Sequence, residues 1–134
     1  MKKLKFLVVD DDEVVLEVAR ERLEGIGFDV TTRNQSLGTS TWIIQNRPDF
    51  VLLDVMMPAL TGGELATVLT RRAIHTGVIL YSSKPPEELR ALVERTGALG
   101  CISKSWDEKR FLEAIRILTR APGSSRFDGM GGAR

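Results

Sequence analysis

Short apolar runs alternate with helical stretches along almost the whole chain, and this restricts the fold more than any other feature. Leu4 to Val9 is an apolar run of the kind found in strands covered on both faces. Glu13 to Glu24 comes next, with Val15, Ala19 and Leu23 on one helical face, and Gly25 and Gly27 end it. Phe28 to Arg33 is β-rich and more polar, which predicts an edge strand. Ser36 to Asn46 is predicted helical despite the weak helix formers Thr39-Ser40-Thr41. Asp49 to Asp54 and Val78 to Ser82 are two more buried strands, with a helix over Glu64 to Arg72 between them. A helix from Pro85-Pro86-Glu87-Glu88 turns Leu89, Leu92 and Val93 inward and closes at Gly97. Leu99 to Ser103 is the fifth strand. Ser105-Trp106-Asp107-Glu108 has capping-box spacing, and the helix beyond it runs to about Thr119 with Phe111, Ile115 and Leu118 inward. Five strand-then-helix units with short connections imply an α/β parallel sheet with helices on both faces.

The 134 residues are one domain's worth of chain. We place that domain at 1–120 and read 121–134, with Pro122-Gly123-Ser124-Ser125 and Gly129-Met130-Gly131-Gly132, as a flexible tail. At 43% hydrophobic and 28% charged, the chain is ordinary globular protein. Lysine plus arginine is 19 and aspartate plus glutamate 18, a formal charge of +1 that argues against non-specific nucleic-acid binding. Cys101, the single cysteine, excludes an internal disulfide, and His75, the single histidine, excludes a multi-histidine metal site. No apolar run approaches the roughly 18 residues of a membrane span. The basic start, Met1-Lys2-Lys3-Leu4-Lys5, leads to four apolar residues before Asp10, too few for a signal peptide. The expected location is cytoplasmic.

In an open parallel sheet, ligands bind beyond the carboxyl ends of the strands. Here the first strand delivers Asp10-Asp11-Asp12, the third Asp54 and the fourth Ser82-Ser83, and Lys104 comes directly after the fifth. Carboxylates gathered at one rim repel each other unless a cation is present. Hard oxygen donors without histidine or cysteine suit Mg²⁺, which uses one or two carboxylates and keeps several waters. Such an ion is suited to neutralising phosphoryl oxygens, and a carboxylate can attack phosphorus to give an aspartyl phosphate. The rim therefore reads as a phosphoryl-transfer site with Asp54 as the best nucleophile. Taken singly, each residue has an ordinary explanation: the aspartates cap a helix, Ser82 is structural, Lys104 is a surface lysine. Their convergence on one sheet edge is what favours the site.

These residues carry a family likeness. The chain resembles the receiver domain of bacterial two-component response regulators over about residues 3 to 119. The likeness rests on Phe6 to Asp12, on Asp54-Val55-Met56-Met57-Pro58-Ala59-Leu60-Thr61-Gly62, on Leu80-Tyr81-Ser82-Ser83 and on Gly97 to Lys104, in that order. It implies a doubly wound (βα)5 flavodoxin-like sandwich with strand order 2-1-3-4-5. It also implies that Asp54 accepts phosphate from a phosphohistidine, and that Mg²⁺ is bound by Asp11, Asp54 and the backbone carbonyl of Met56. Asp10 acts mainly through a metal-bound water, Ser82 hydrogen-bonds a phosphoryl oxygen and Lys104 pairs with another. The partners implied are a sensor histidine kinase or histidine phosphotransfer protein, and a downstream protein at the face formed by the helix from Pro86, the strand through Cys101 and the helix from Asp107. We expect a monomer or weak homodimer that neither binds nucleic acid nor inserts into membranes.

The chain also departs from the family. Cys101 stands where an aromatic ring often relays the signal. Tyr81 is a poor replacement, because strand alternation points it away from Ser82's face. Ser105 comes after Lys104 where many relatives have a cis proline, and a non-proline cis bond costs about 3 kcal/mol, so a different loop shape is expected there. Met56 and Lys84 occupy two positions that influence phosphate lifetime. Two other functions stay open: a docking module of the same fold that is never phosphorylated, and a phosphatase. The phosphatase usually needs a second aspartate where Met56 stands, so the chain is read as a non-enzyme. No P-loop or G-x-G-x-x-G appears. His75 lies away from the rim, so the phosphodonor is another protein.

Overall fold

A computed structural model of the chain describes residues 2–56 and 75–120. The four pieces richest in apolar residues form strands together with the more polar second one. These are β1 (Lys5–Val9), β2 (Asp29–Arg33), β3 (Phe50–Asp54), β4 (Gly77–Ser82) and β5 (Gly100–Ser103). They make one parallel sheet in the order β2-β1-β3-β4-β5. The described helices are α1 (Glu13–Gly25), α2 (Thr39–Asn46), α3 (Pro86–Thr96) and α4 (Glu108–Leu118). The helix expected over Glu64 to Arg72, and the tail from residue 121, lie outside the described residues.

The period-two alternation of the strands divides the core in two. Phe6, Val8, Phe50, Leu52, Ile79, Tyr81 and Ile102 face α1 and α4, where they meet Leu16, Ala19, Leu23, Phe111 and Ile115. Leu7, Val9, Val51, Leu53, Val78 and Leu80 face the opposite way and meet Ile43 of α2 and Leu92 of α3. Buried backbone on both faces is why the central strands are almost continuously apolar. The polar β2 is at an edge, as its sequence predicts.

Three local expectations shift. The buried stripe of α1 is Leu16, Ala19 and Leu23, with Val15 only half-buried. The helix α2 starts at Thr39 rather than Ser36, because Gly38 takes a left-handed conformation (φ 81°) before the first turn. The expected capping box at Ser105 is not used. Asp107 caps α4, its carboxylate accepting from the Arg110 backbone N–H at 2.9 Å, while Ser105 belongs to the preceding loop. A carboxylate at the cap meets the helix dipole more favourably than a hydroxyl two residues earlier.

One residue is strained. Arg47 ends α2 at φ 50° and ψ 57°, and Pro48 comes directly after it. The left-handed region crowds Cβ, and a proline in the next position disfavours it further. Arg47→Gly is expected to stabilise the fold by about 0.5–1 kcal/mol, net of the entropy glycine adds to the unfolded chain. Urea unfolding checks this, and an unchanged or lower midpoint would contradict it. Around Arg47, at the amino-terminal edge of the sheet, Lys2, Lys3 and Lys5 line a cavity of about 270 Å³.

Candidate functional site

Parallel strands end at the same edge, and the register aligns the residues just beyond them. Asp54, the last residue of β3, pairs with Tyr81, and Ser82, the last of β4, pairs with Ser103. The Lys104 backbone N–H donates to the Ser82 carbonyl at 2.9 Å, so the residue after β5 starts from that same edge. Beyond β1 the three aspartates divide the work. Asp12 caps α1, its Oδ1 accepting from the backbone N–H groups of Val14 (2.9 Å) and Val15 (3.3 Å). Its own N–H donates to Asp10 Oδ1 at 3.0 Å. Asp11 projects to solvent and Asp10 is completely buried.

One carboxylate oxygen from each of Asp10, Asp11 and Asp54 lies within 4.8 Å of the others. Lys104 reaches into this group: its Nζ is 2.7 Å from Asp10 Oδ2 and 3.3 Å from Asp54 Oδ1. Asp54 is 2% exposed, and its Oδ1 also accepts the Met56 backbone N–H at 3.0 Å. Ser82 is 1% exposed, on the strand between those leading to Asp54 and Lys104, and its hydroxyl accepts from the Lys84 N–H at 3.0 Å. The Met56 side chain is 61% exposed beside the group. The structure thus brings Asp10, Asp11, Asp54 and Lys104 together, with Ser82 and Met56 on the same rim. His75 is exposed at the opposite edge, just before β4.

Every peptide bond among the described residues is trans, including the one before Ser105. The loop after β5 is closed instead by serine. Ser103 Oγ accepts from the Ser105 N–H at 3.2 Å and shares a 2.8 Å hydrogen bond with the Ser105 hydroxyl. This different loop still carries Lys104 to the carboxylates. Cys101 and Tyr81 point to opposite faces, Cys101 packing with the α2/α3 cluster and Tyr81 with the α1/α4 cluster.

The electrostatics follow from this packing. Burial raises the Asp54 pKa above 3.8, and the Asp10 charge adds to the rise, against the Met56 N–H and Lys104. Burial pushes the Lys104 pKa down, but the hydrogen bond and charge of Asp10, then those of Asp54, leave it raised. Because the folded state holds the Asp54 proton more tightly than the unfolded state, Asp54 makes stability fall as pH rises through that window, and the deficit persists above it. In chelator, the stability of the wild type minus that of Asp54→Asn is therefore expected to increase as pH falls from 7 toward 3.8. Urea midpoints of the two proteins across that range give the difference directly, and a flat difference would mean that Asp54 is not perturbed.

Three carboxylates against one ammonium leave a formal −2 (−3 + 1), and the donors are all hard oxygens with one carboxylate open to solvent. That set fits Mg²⁺ in charge and in chemistry.

The family model of the response regulator receiver domain matches residues 6–116. The chain belongs to this family. Receiver domains are signalling modules of two-component systems, phosphorylated on an aspartate with Mg²⁺ and served by histidine kinases or phosphotransfer proteins. Among its relatives, the transcriptional regulatory protein CseB of Streptomyces coelicolor is 33% identical over 131 residues, covering 95% of this chain and 56% of the relative. A CpxR homolog of Haemophilus influenzae is 32% identical over 120 residues, covering 90% and 52%. This receiver thus spans about half the length of the curated relatives it matches. The fold is that of the chemotaxis response regulator CheY4 of Vibrio cholerae, with a TM-score of 0.80 at 21% identity, covering 87% of this chain and 99% of that one. Among the described residues, no helix is long and apolar enough to cross a membrane.

Sequence reasoning located the acids but missed a contact of the lysine and a brace on its loop. Tyr81 lies under its ammonium, and Arg22 of α1 donates to the Trp106 carbonyl at 3.5 Å in the same loop. The only advance signal for either was the parity that puts Tyr81 on the α1 side.

Proposed function

We propose that this chain is a phospho-accepting receiver in which Asp54 takes the phosphoryl group from a phosphohistidine of a sensor kinase or phosphotransfer protein. The observation that carries this reading is the four-group cluster of Asp10, Asp11, Asp54 and Lys104 at the carboxyl edge of the sheet. Asp11, Asp54 and the Met56 backbone carbonyl would hold Mg²⁺, and Asp10 would act mainly through a metal-bound water. The bound ion supplies neutralisation of phosphoryl oxygens. A carboxylate oxygen of Asp54 forms the new P–O bond as the donor's P–N bond breaks, and the departing imidazole keeps the electron pair and takes up a proton. Lys104 moves from its carboxylate partners to a phosphoryl oxygen, and the Ser82 hydroxyl, which accepts from the Lys84 N–H, donates its own proton to another. The output is a change in partner binding at the face of α3, β5 and α4, reached by shifting a pre-existing equilibrium.

Incubation with a small acyl phosphate and Mg²⁺ should add one phosphate by intact mass, and chelator should prevent it. A second reading, a docking module that is never phosphorylated, is favoured by Cys101, which leaves β5 without an aromatic ring to relay the change. No uptake with any donor supports that module, and continuous release of phosphate from an ester supports an enzyme.

A further inference from the structure

We propose that Tyr81 is a positioning residue for Lys104, its ring face forming the third wall of the pocket that holds the ammonium. This rests on the reading of Lys104 as the group that pairs with the phosphoryl oxygen. A lysine is a point charge on a flexible stem, and holding it in one place costs rotamer entropy. In this chain hydrogen bonds between Ser103 and Ser105 close the loop that carries it, which holds the backbone but not the long lysine stem.

The surroundings supply what the loop lacks. Two carboxylates contact Nζ, at 2.7 and 3.3 Å, and its distance to the Tyr81 ring centroid is 5.6 Å, with the charge over the ring. At that distance a cation is attracted to the negative face of an aromatic ring, most strongly where water is excluded. Only 20% of the Lys104 side chain is exposed. The ring is itself fixed. Tyr81 is buried on β4, with Asp54 beside it on β3 and Ile102 beside it on β5. Phe111 of α4 meets the ring edge-to-face at 6.0 Å, and the Arg22 guanidinium lies 5.1 Å over Phe111. The same Arg22 holds the Trp106 carbonyl, two residues beyond Lys104. Ring and loop are therefore braced against one helix, α1.

A ring face and a carboxylate constrain a cation differently. The carboxylates fix the ammonium at particular oxygens and must release it when the phosphoryl group arrives. The ring attracts it without a fixed direction, so Nζ can slide across the face from Asp10 toward the new oxygen while one wall stays in contact.

The test compares Tyr81→Leu and Tyr81→Phe with the wild type. Labelling by a small acyl phosphate in Mg²⁺ should slow by about tenfold in Tyr81→Leu and stay within about twofold in Tyr81→Phe, which keeps the ring. In NMR spectra of the unphosphorylated proteins, the ε-methylene protons of Lys104 should be displaced upfield by the ring in the wild type and in Tyr81→Phe, and return toward ordinary positions in Tyr81→Leu. Wild-type labelling in Tyr81→Leu, equal slowing in both variants, or an upfield position that survives in Tyr81→Leu would each overturn the proposal. A Lys104→Met protein separates this from the site reading. If it labels at the wild-type rate, the role given to Lys104 is wrong and the proposal falls with it. If it is slow while Tyr81→Leu is fast, only the proposal falls.

Discussion

Asp54→Asn should lose phosphate uptake by roughly a thousandfold or more, as expected when a nucleophile is removed rather than weakened. The cause is local. Asn keeps the shape of the side chain and can still accept the Met56 N–H, which is 3.0 Å from Asp54 Oδ1. It has no carboxylate oxygen with which to form the acyl phosphate. Intact mass after incubation with an acyl phosphate and Mg²⁺ reads the result. A variant that still gains one phosphate would place the acceptor elsewhere, with Asp11 the next candidate. The same variant should respond less to Mg²⁺, since it loses one of the three clustered carboxylates. A ligand at a hundred times its dissociation constant stabilises by about 2.7 kcal/mol, so thermal unfolding with and without Mg²⁺ resolves that loss.

Lys104→Met carries the second large effect, on stability. Asp10 is completely buried, and its only cationic partner among the described residues is Lys104. Removing one member of a buried pair leaves the other charge desolvated, at a cost of a few kcal/mol. Lys104 keeps some exposure, so the expected loss in chelator is about 2–4 kcal/mol at neutral pH. Urea unfolding measures it. Mg²⁺ should recover much of it, because a divalent cation replaces the missing charge. Asp54→Asn in the Lys104→Met background should also recover part, by removing a neighbouring carboxylate. A Lys104→Met protein as stable as the wild type in chelator would mean that the pair contributes nothing.

How far the letters reach can be judged residue by residue. Phe6 to Val9, Phe50 to Leu53 and Val78 to Tyr81 were legible as strands because both of their faces are covered, and a short apolar run has few other uses. Asp10 and Asp54 were legible because an acid directly after such a run must stand at the sheet edge. The start of α2 was not legible, since Thr39-Ser40-Thr41 gives no periodic signal and only the backbone of Gly38 sets the boundary. The choice of Asp107 over Ser105 as a cap was also hidden, because both residue types cap helices and the loop shape decides between them. The pairing of Lys104 with Asp10 depends on where a long flexible side chain settles after a loop. No spacing rule reaches that far, and the same holds for its approach to the Tyr81 ring.

The directions of the helices have an electrical consequence. All the described ones run opposite to the strands, so their amino ends gather at the rim that holds Asp54. Glu13, Glu87, Glu88 and Glu108 occupy first turns there, while Arg95 and Arg116 occupy last turns at the other edge, alongside Lys2, Lys3 and Lys5. Among the described residues, these side chains set acids at one end of the sheet and bases at the other. A small anionic donor approaching Asp54 would meet the repulsion of those acids. Added salt, by shortening the reach of that repulsion, eases its arrival there.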